Sequence, residues 1–181
     1  MIVLASSSES RAQILRDFNI PFIQISMDYD ETSTQKTSPN SYSMNVVIQK
    51  SKQFFSKFKK QYDNVLFADS SVICKGRILG KAKDEDEAWQ MLDLQSGSLV
   101  SVYTAMKFVS TKFDIDALSV TTFKFDIFQK DDLEKYIKSG LWKDKAGAMM
   151  CEGFNKKYIL QTHGNKSTAM GLNAQILKAF L

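Results

Sequence analysis

The chain has 181 residues and a formal charge of +4 at pH 7, because 24 Lys and Arg face 20 Asp and Glu. Hydrophobic residues make up 44% of the sequence and 13 residues are Phe, which supports one packed domain over residues 1–181 and excludes a disordered chain. The apolar runs fall far below the roughly 18 residues that span a bilayer. No basic region precedes the apolar N-terminal run, so we expect a cytoplasmic protein with no membrane partner.

The first half of the chain alternates short apolar runs, typical of buried strands, with segments of helical periodicity. Between Met44 and Phe58 the apolar positions recur with the spacing of one helix face over about four turns. In chain order the predicted elements are a strand at 2–5, a serine loop at 6–10, a helix with Ala12, Leu15 and Phe18 inward, a strand at 21–26, a polar loop at 28–41, a helix over 44–58, a strand at 64–68 that ends before Asp69, and a hairpin at 72–79 about Lys75-Gly76.

The second half contains longer runs of β-branched and aromatic residues. Its predicted elements are a helix that opens at Asp84 and closes at Gly97, strands at 99–109 and 117–128 paired as a hairpin, a helix from Asp131 to Gly140, a glycine-containing loop at 143–153, a strand at 157–161, and a terminal helix carrying Leu172, Ile176, Leu177 and Phe180. Such alternation predicts an α/β fold with a mixed central sheet flanked by helices, arranged in two lobes.

Few residues are suited to soft-metal or thiol chemistry. Cys74 and Cys151 are too few for a disulfide framework or a metal cluster, and both are expected to be buried as small apolar side chains. His163 is expected at a strand end, where it has a structural role.

Five segments carry residues suited to binding phosphate or a hard cation. They are the serine loop with Ser8 and Arg11, the acidic loop 28–32 with Glu31, the helix border at Lys50, Asp69 after a strand, and Lys81 after Gly80. A helix N-terminus presents unpaired N–H groups to an anion, and carboxylates share magnesium with phosphate oxygens. Each segment alone also fits a cap, a solvated loop or a turn. Together the three cations and two carboxylates suit hydrolysis of a metal-bound polyphosphate.

These segments belong to a longer ordered series: Leu4-Ala-Ser-Ser-Ser-x-x-Arg11, Asp30-Glu-Thr32, Lys50, Ala68-Asp-Ser70, Ile78-Leu-Gly-Lys81, Glu87-Ala-x-x-Met-Leu92, Ser96-Gly97, Val102-Tyr-Thr104, Asp144-Lys-Ala-Gly-Ala148 and Gly171-Leu172. In order and spacing, over nearly the whole chain, the series resembles the Maf family of nucleoside triphosphate pyrophosphatases. The resemblance implies a two-lobed Maf/ITPase-like fold with a substrate cleft. It also implies frequent homodimers and hydrolysis of a nucleoside triphosphate to monophosphate and pyrophosphate with Mg²⁺ or Mn²⁺. Such enzymes are regarded as cleaning the nucleotide pool, and the family name refers to septum formation.

The resemblance also implies roles for individual residues. Asp69 resembles the general base and Glu31 a metal-site carboxylate that would act with it. Ser8 and Arg11 resemble triphosphate ligands. The remaining pair, Lys50 and Lys81, resembles charge-neutralising contacts. These roles agree with the chemistry, since cations must offset the charge of a triphosphate before water can attack.

Several positions depart from the family pattern. Its serine-proline-arginine-arginine signature reads Ser8-Glu-Ser-Arg11 here, so one arginine is missing and Glu9 adds a negative charge, which predicts weaker triphosphate binding. The other departures are Ser70, Ala82, Ala105, Lys166 and Thr168.

The preferred base is left open by the sequence. Cys151-Glu-Gly153 resembles the branch that accepts 7-methyl-GTP, whereas Asp144-Lys-Ala-Gly147 resembles the branch that acts on dTTP and UTP. A Glu at 152 would bind substrate by accepting hydrogen bonds from a guanine-like N–H edge.

Two other functions compete with hydrolysis. Glu9, Ser10 and Ala105 also fit a nucleotide-binding regulator of cell division whose catalysis has weakened. The run Lys57-Phe-Lys-Lys60 could contact nucleic acid, although such a run is usually a solvated helix end, and no nucleic-acid partner is expected.

Overall fold

The structure is a computed structural model that describes residues 1–32, 34, 35, 38–59 and 61–181. The predicted loop at 28–41 includes Ser33, Lys36 and Thr37, and the basic run includes Lys60; these four residues lie outside the described part. The strands are β1 (Ile2–Leu4), β2 (Phe22–Gln24), β3 (Val65–Cys74), β4 (Arg77–Leu79), β5 (Leu99–Val109), β6 (Asp114–Phe125) and β7 (Ile159–His163). The helices are α1 (Glu9–Asp17), α2 (Pro39–Phe58), α3 (Glu85–Gln95), α4 (Lys130–Ser139), α5 (Lys166–Ala169) and α6 (Ala174–Lys178), with a 3-10 turn at Phe154–Tyr158.

The strands form one seven-stranded mixed sheet in the order β2-β1-β3-β5-β6-β7, with β4 paired to β3. β1 runs parallel to β2 and β3, whereas the pairs that join β3, β5, β6 and β7 are antiparallel. Helices pack against this sheet, so the predicted mixed α/β class is confirmed. None of the helices in the described residues is both long and apolar enough to cross a bilayer.

Successive side chains of β3 point to opposite faces of the sheet, as in any strand. Val65 and Phe67 pack in the cluster that contains Phe54 of α2. The intervening Leu66 packs in a second cluster with Leu15 of α1. A third cluster, with Leu92 and Tyr136 among its members, fills the space between the sheet, α3 and α4. The sheet therefore has α2 on one face and α1, α3 and α4 on the other.

One strand prediction is wrong in a way that matters for function. Asp69 does not follow the end of a strand, because β3 continues without a break to Cys74. On one side β3 pairs with β5 throughout. On its other side, β3 pairs with β1 only as far as Leu66, and its pairing with β4 starts only at Val72. Asp69 lies in that gap between partner strands, so the sheet opens at this point although β3 itself does not end.

Other boundaries also differ from the predictions. α2 begins at Pro39, a favoured first helical residue, so the end of the predicted loop is helical. β6 covers Asp114–Phe125 rather than 117–128, and the predicted strand at 157–161 begins only at Ile159. The single terminal helix is instead the two short helices α5 and α6. Gly140 ends α4 in the left-handed conformation, as expected.

The two cysteines differ in burial. Cys74 is buried, as predicted, but Cys151 is only half-buried, so the prediction for that residue is wrong. His163 is the last residue of β7 and is exposed, which agrees with its predicted position at a strand end.

Candidate active site

A cavity of about 890 Å³ opens where β3 lacks a partner strand. Two groups of its lining residues are named here by position. The inner wall consists of Ser8, Arg11, Glu31, Lys50 and Asp69, and the outer wall consists of Lys81, Asp144 and Glu152. All the residues that the sequence singles out for phosphate, metal or base contact therefore line one cavity.

The N-terminus of α1 forms one end of the inner wall. Ser8 has extended backbone geometry and caps the helix, and its Oγ accepts the N–H of Arg11 at 3.4 Å. Capping fixes the turn and directs the remaining N–H groups of the first helical turn out of the helix. Because Ser8 itself lines the cavity, these donors and the positive end of the helix dipole are available to an anion there.

Arg11 is fixed by two segments that are far apart in the sequence. Its Nη1 donates to Ser6 Oγ at 3.0 Å, and its Nε donates to the carbonyl oxygen of Gly171 at 3.0 Å. Gly171 has φ +114°, which only glycine adopts readily, and this turn brings its carbonyl to the arginine. A guanidinium carries five N–H donors, so two bonds set its plane and others remain for an anion.

Lys50 joins the two carboxylates of the inner wall. Its Nζ lies 2.8 Å from Asp69 Oδ1 and 2.8 Å from Glu31 Oε1. The side chains of Lys50 and Asp69 are only 10% and 13% exposed, whereas that of Glu31 is 45% exposed. Burial raises the pKa of Asp69 above its ordinary value, while Lys50 and Arg11 act in the opposite direction. A carboxylate with a raised pKa is a stronger base than an ordinary aspartate.

The donor set of the inner wall fits a divalent metal. Glu31 and Asp69 already converge on one positive charge, the ammonium of Lys50, and both supply hard oxygen ligands. Among the described residues, no group of three or more His, Cys, Asp or Glu side chains is arranged to hold a metal ion. Magnesium in nucleotide sites is typically bound by one or two protein carboxylates, with phosphates and water completing its shell. Two carboxylates are therefore the expected number.

The outer wall is more exposed and less tightly bonded. Lys81 Nζ lies 3.6 Å from Asp144 Oδ1, and these side chains are 66% and 90% exposed. Lys81 also forms a β-bridge with Ala146, which ties the loop 143–153 to the segment after β4. Within the same loop, Cys151 Sγ donates to Glu152 Oε2 at 3.2 Å. Burial, and next the charge of Glu152, raise the pKa of Cys151 to about 12, so its thiol is neutral at pH 7.

The added charge at Glu9, which also lines the cavity, has a positive partner on α1. Its Oε1 lies 2.6 Å from Nη1 of Arg16, two turns along α1, and both side chains are exposed. The carboxylate is therefore matched by its own arginine on the helix surface.

Sequence reasoning missed a set of hydroxyl contacts behind the inner wall. Ser70 Oγ lies 2.8 Å from Thr104 Oγ1, which donates to the carbonyl oxygen of Thr168 at 2.7 Å. Thr104 and Gly171 both belong to the ordered series of family-like segments. The series therefore marked these positions, but no role was predicted for either residue. The contacts connect β3, β5 and α5 beside the residue that follows Asp69.

Comparison with known proteins identifies the family of this chain. The model of a family described as Maf-like protein matches residues 1–181. This chain belongs to the Maf family. A curated Maf relative from Campylobacter jejuni subsp. doylei, named nucleoside triphosphate pyrophosphatase, is 45% identical over 100% of both chains. A protein of the same name from Nitratiruptor sp. is 41% identical over 98% of this chain and 96% of its own. A third, from Helicobacter pylori, is 33% identical over 96% and 91%.

The fold of this Maf protein is also seen in a solved structure. The Staphylococcus aureus Ham1 protein aligns over 99% of this chain and 96% of its own, with a TM-score of 0.54 and 15% sequence identity. At that identity the likeness concerns the fold alone.

Proposed function

We propose that this protein is a nucleoside triphosphate pyrophosphatase that uses a divalent metal. The observation that carries the proposal is the contact of the buried Lys50 with Asp69 and Glu31 in the same cavity as Arg11. Full-length relatives at 45% and 41% identity bear the name of this activity, which supports the same conclusion. The products would be a nucleoside monophosphate and pyrophosphate.

The inner wall suits the triphosphate. Arg11, Lys50 and the N–H groups of the α1 N-terminus present positive charge within one partly buried region, where electrostatic interactions are stronger than in water. Lys81 approaches the cavity from the outer wall on a more exposed side chain. A substrate held between them would have the charge of its leaving pyrophosphate offset before bond breaking begins.

Asp69 would act as the general base. Its carboxylate takes a proton from water, the water oxygen bonds to phosphorus, and the bridge between the α- and β-phosphates breaks as pyrophosphate leaves. The raised pKa of Asp69 favours its accepting that proton, and Lys50 at 2.8 Å holds the carboxylate in position. Such a base contributes typically about 10² to 10⁴ in rate.

Glu31 and Asp69 would hold the metal, Mg²⁺ or Mn²⁺, with phosphate oxygens as further ligands. When bound, such an ion supplies Lewis-acid stabilisation of phosphate charge. In the substrate-free protein, Lys50 neutralises both of these carboxylates. Its ammonium would be free to contact phosphate only when another positive charge replaces it beside Glu31 and Asp69.

The decisive experiment is a nucleotide panel that covers canonical and methylated triphosphates, incubated with Mg²⁺ or Mn²⁺. We expect monophosphate and pyrophosphate in equal amounts from at least one nucleotide. Release of orthophosphate, or no products from any nucleotide, would refute the proposal. The Asp69→Asn variant is the matched control for contaminating activity.

The same panel addresses the preferred base. Glu152 lines the outer wall, where its carboxylate could accept hydrogen bonds from a guanine-like edge, so we favour testing 7-methyl-GTP first and dTTP and UTP second. A preference for 7-methyl-GTP that Glu152→Gln weakens would support this contact.

The alternative is a weakened, division-regulating nucleotide binder, and Glu9, one of its reasons, lines the cavity while pairing with the exposed Arg16. Tight nucleotide binding without turnover would favour it. The cytoplasmic location, the homodimer, the lack of a nucleic-acid partner and a role in cleaning the nucleotide pool stay predictions.

A further inference from the structure

A buried glutamine behind the outer wall has no role in the chemistry described above. Gln95 is the last residue of α3 and is fully buried. Its Nε2 donates to the carbonyl oxygen of Met91 at 3.0 Å and to that of Gly147 at 2.6 Å. Because both partners are acceptors, the amide nitrogen must face them, and Oε1 is left without a partner among the described residues.

Helix packing alone does not account for this side chain. The other buried positions of α3 are Ala88, Met91 and Leu92, all apolar and part of one cluster. An amide in such surroundings is less favourable than an apolar side chain of the same size, because its oxygen loses the hydrogen bonds that water would supply. Of the two hydrogen bonds that an apolar residue could not make, the one to Met91 stays within α3, and only the one to Gly147 joins α3 to another segment.

Gly147 is one of the residues that attach the loop 143–153 to the rest of the fold. Its N–H donates to the carbonyl oxygen of Gly80 at 2.7 Å, next to Lys81. Its φ is +62°, and a Cβ at this position would lie 2.9 Å from Val72 Cβ, so the loop backbone lies directly against β3. The next residue, Ala148, accepts the hydroxyl of Tyr136 at 3.0 Å.

We propose that Gln95 is a positioning residue for the outer wall: through the Gly147 carbonyl, it holds the loop 143–153 and the adjoining Gly80-Lys81 segment in the geometry that contacts substrate. The inference rests on the proposed function, since it assigns Lys81 and Glu152 to that contact. Gln95 itself is not among the residues that line the cavity, so it acts only through the loop.

Gln95→Met tests the inference because methionine keeps the length and volume of glutamine but cannot donate a hydrogen bond. We expect KM for the preferred nucleotide to rise about tenfold, with kcat within about twofold of wild type, since a lost buried hydrogen bond costs about that factor. Hydrogen exchange of the amides in 143–153 should accelerate, while the melting temperature stays near that of wild type. Met91→Leu is the matched control, since it alters the same helix but keeps the backbone carbonyl that Gln95 contacts.

A second variant approaches the same contact from the loop. Gly147→Ala places a methyl group against Val72 and should also raise KM and loop exchange, and the double variant should be little worse than either single variant. Unchanged KM or unchanged loop exchange in Gln95→Met would overturn the inference, and so would a fall in melting temperature as its only effect. If wild type hydrolyses no nucleotide, the proposed function fails, and the exchange measurement alone still decides whether Gln95 holds the loop.

Discussion

The inner and outer walls of the cavity differ in how much freedom their side chains keep. On the inner wall, Lys50 and Asp69 are almost fully covered and bonded to each other at 2.8 Å. On the outer wall, Lys81 and Asp144 are largely exposed, and their closest charged atoms lie farther apart, at 3.6 Å. Exposed pairs of this kind are worth little, whereas a buried charge that loses its partner is costly.

Under the proposed function, this difference separates two tasks of the site. Reaction at phosphate needs charges held in fixed positions, because reorganisation during the reaction would reduce their effect. Recognition of a base would tolerate side chains that adjust, provided that the loop carrying them is held, and Gly147 bonds this loop to Gln95 and Gly80. Substitutions on the inner wall should therefore reduce turnover strongly, and those on the outer wall should change binding modestly.

The largest effect is expected from Asp69→Asn. The amide keeps the shape of the side chain but cannot accept the proton of water, so kcat should fall by about 10² to 10⁴. Pyrophosphate release under saturating nucleotide measures the loss, and circular dichroism checks the fold. Asp144→Asn on the outer wall is the control and should keep kcat within about twofold, since an exposed pair contributes little. Wild-type turnover by Asp69→Asn would show that Asp69 is not the base.

Lys50→Met should strengthen metal binding by the substrate-free protein but slow hydrolysis. Its ammonium lies 2.8 Å from both Glu31 and Asp69, so it competes with a metal for the same carboxylates. Without it, the substrate-free protein should bind Mn²⁺ about tenfold more tightly, because a positive charge next to the ligands is gone. Hydrolysis should nevertheless fall by about ten- to a hundredfold, because a charge that stabilises the reacting phosphate is lost.

Calorimetric titration of the substrate-free protein with Mn²⁺ separates the two effects of Lys50→Met. Lys81→Met removes a lysine from the other wall and should leave Mn²⁺ affinity unchanged. Equal or weaker Mn²⁺ binding by Lys50→Met would mean that the lysine does not occupy the position of the metal.

The sequence predicted the residues of the two walls but not the difference between them. The apolar stripe of α2 put Lys50 at its border, and the position of Asp69 after an apolar run indicated the ligand crevice. The physical reason given for Asp69 was wrong, because local sequence cannot reveal where a neighbouring strand stops. It is the end of pairing with β1 at Leu66, not the end of β3, that opens the sheet.

Contacts between distant segments were also beyond sequence reasoning. The bond from Arg11 to Gly171 spans 160 residues, and the bond from Gln95 to Gly147 spans 52. In both bonds the acceptor is a backbone carbonyl, which every residue has. The residue type of the acceptor therefore gives no indication of the contact. Periodicity identifies which face of a helix is buried, but it does not say which backbone oxygen a buried amide will meet.

Lys81→Ala should affect binding more than turnover. The side chain is 66% exposed and weakly paired with Asp144, so its loss should leave the melting temperature unchanged. Removing one exposed positive charge near a triphosphate should raise KM by up to about tenfold, a cost typical of a single charge-assisted contact. Steady-state kinetics at several salt concentrations checks this, since the difference from wild type should shrink as salt screens the charge. A loss mainly in kcat would place Lys81 with the inner wall instead.

The smallest expected effect concerns Cys151 and Glu152. The pKa of Cys151 is raised to about 12, first by burial and then by the carboxylate of Glu152, so little thiolate exists at pH 8. Alkylation by iodoacetamide should be slow at that pH and accelerate as pH increases toward 12, because only the thiolate reacts. Glu152→Gln removes the negative charge but leaves the burial, so it should lower the pKa and speed alkylation at pH 8 by less than about tenfold. Mass spectrometry of the Cys151 peptide measures the rate separately from that of buried Cys74. If the two proteins react at the same rate, the Cys151–Glu152 contact does not persist in solution, and Glu152 is then free to turn toward a bound base.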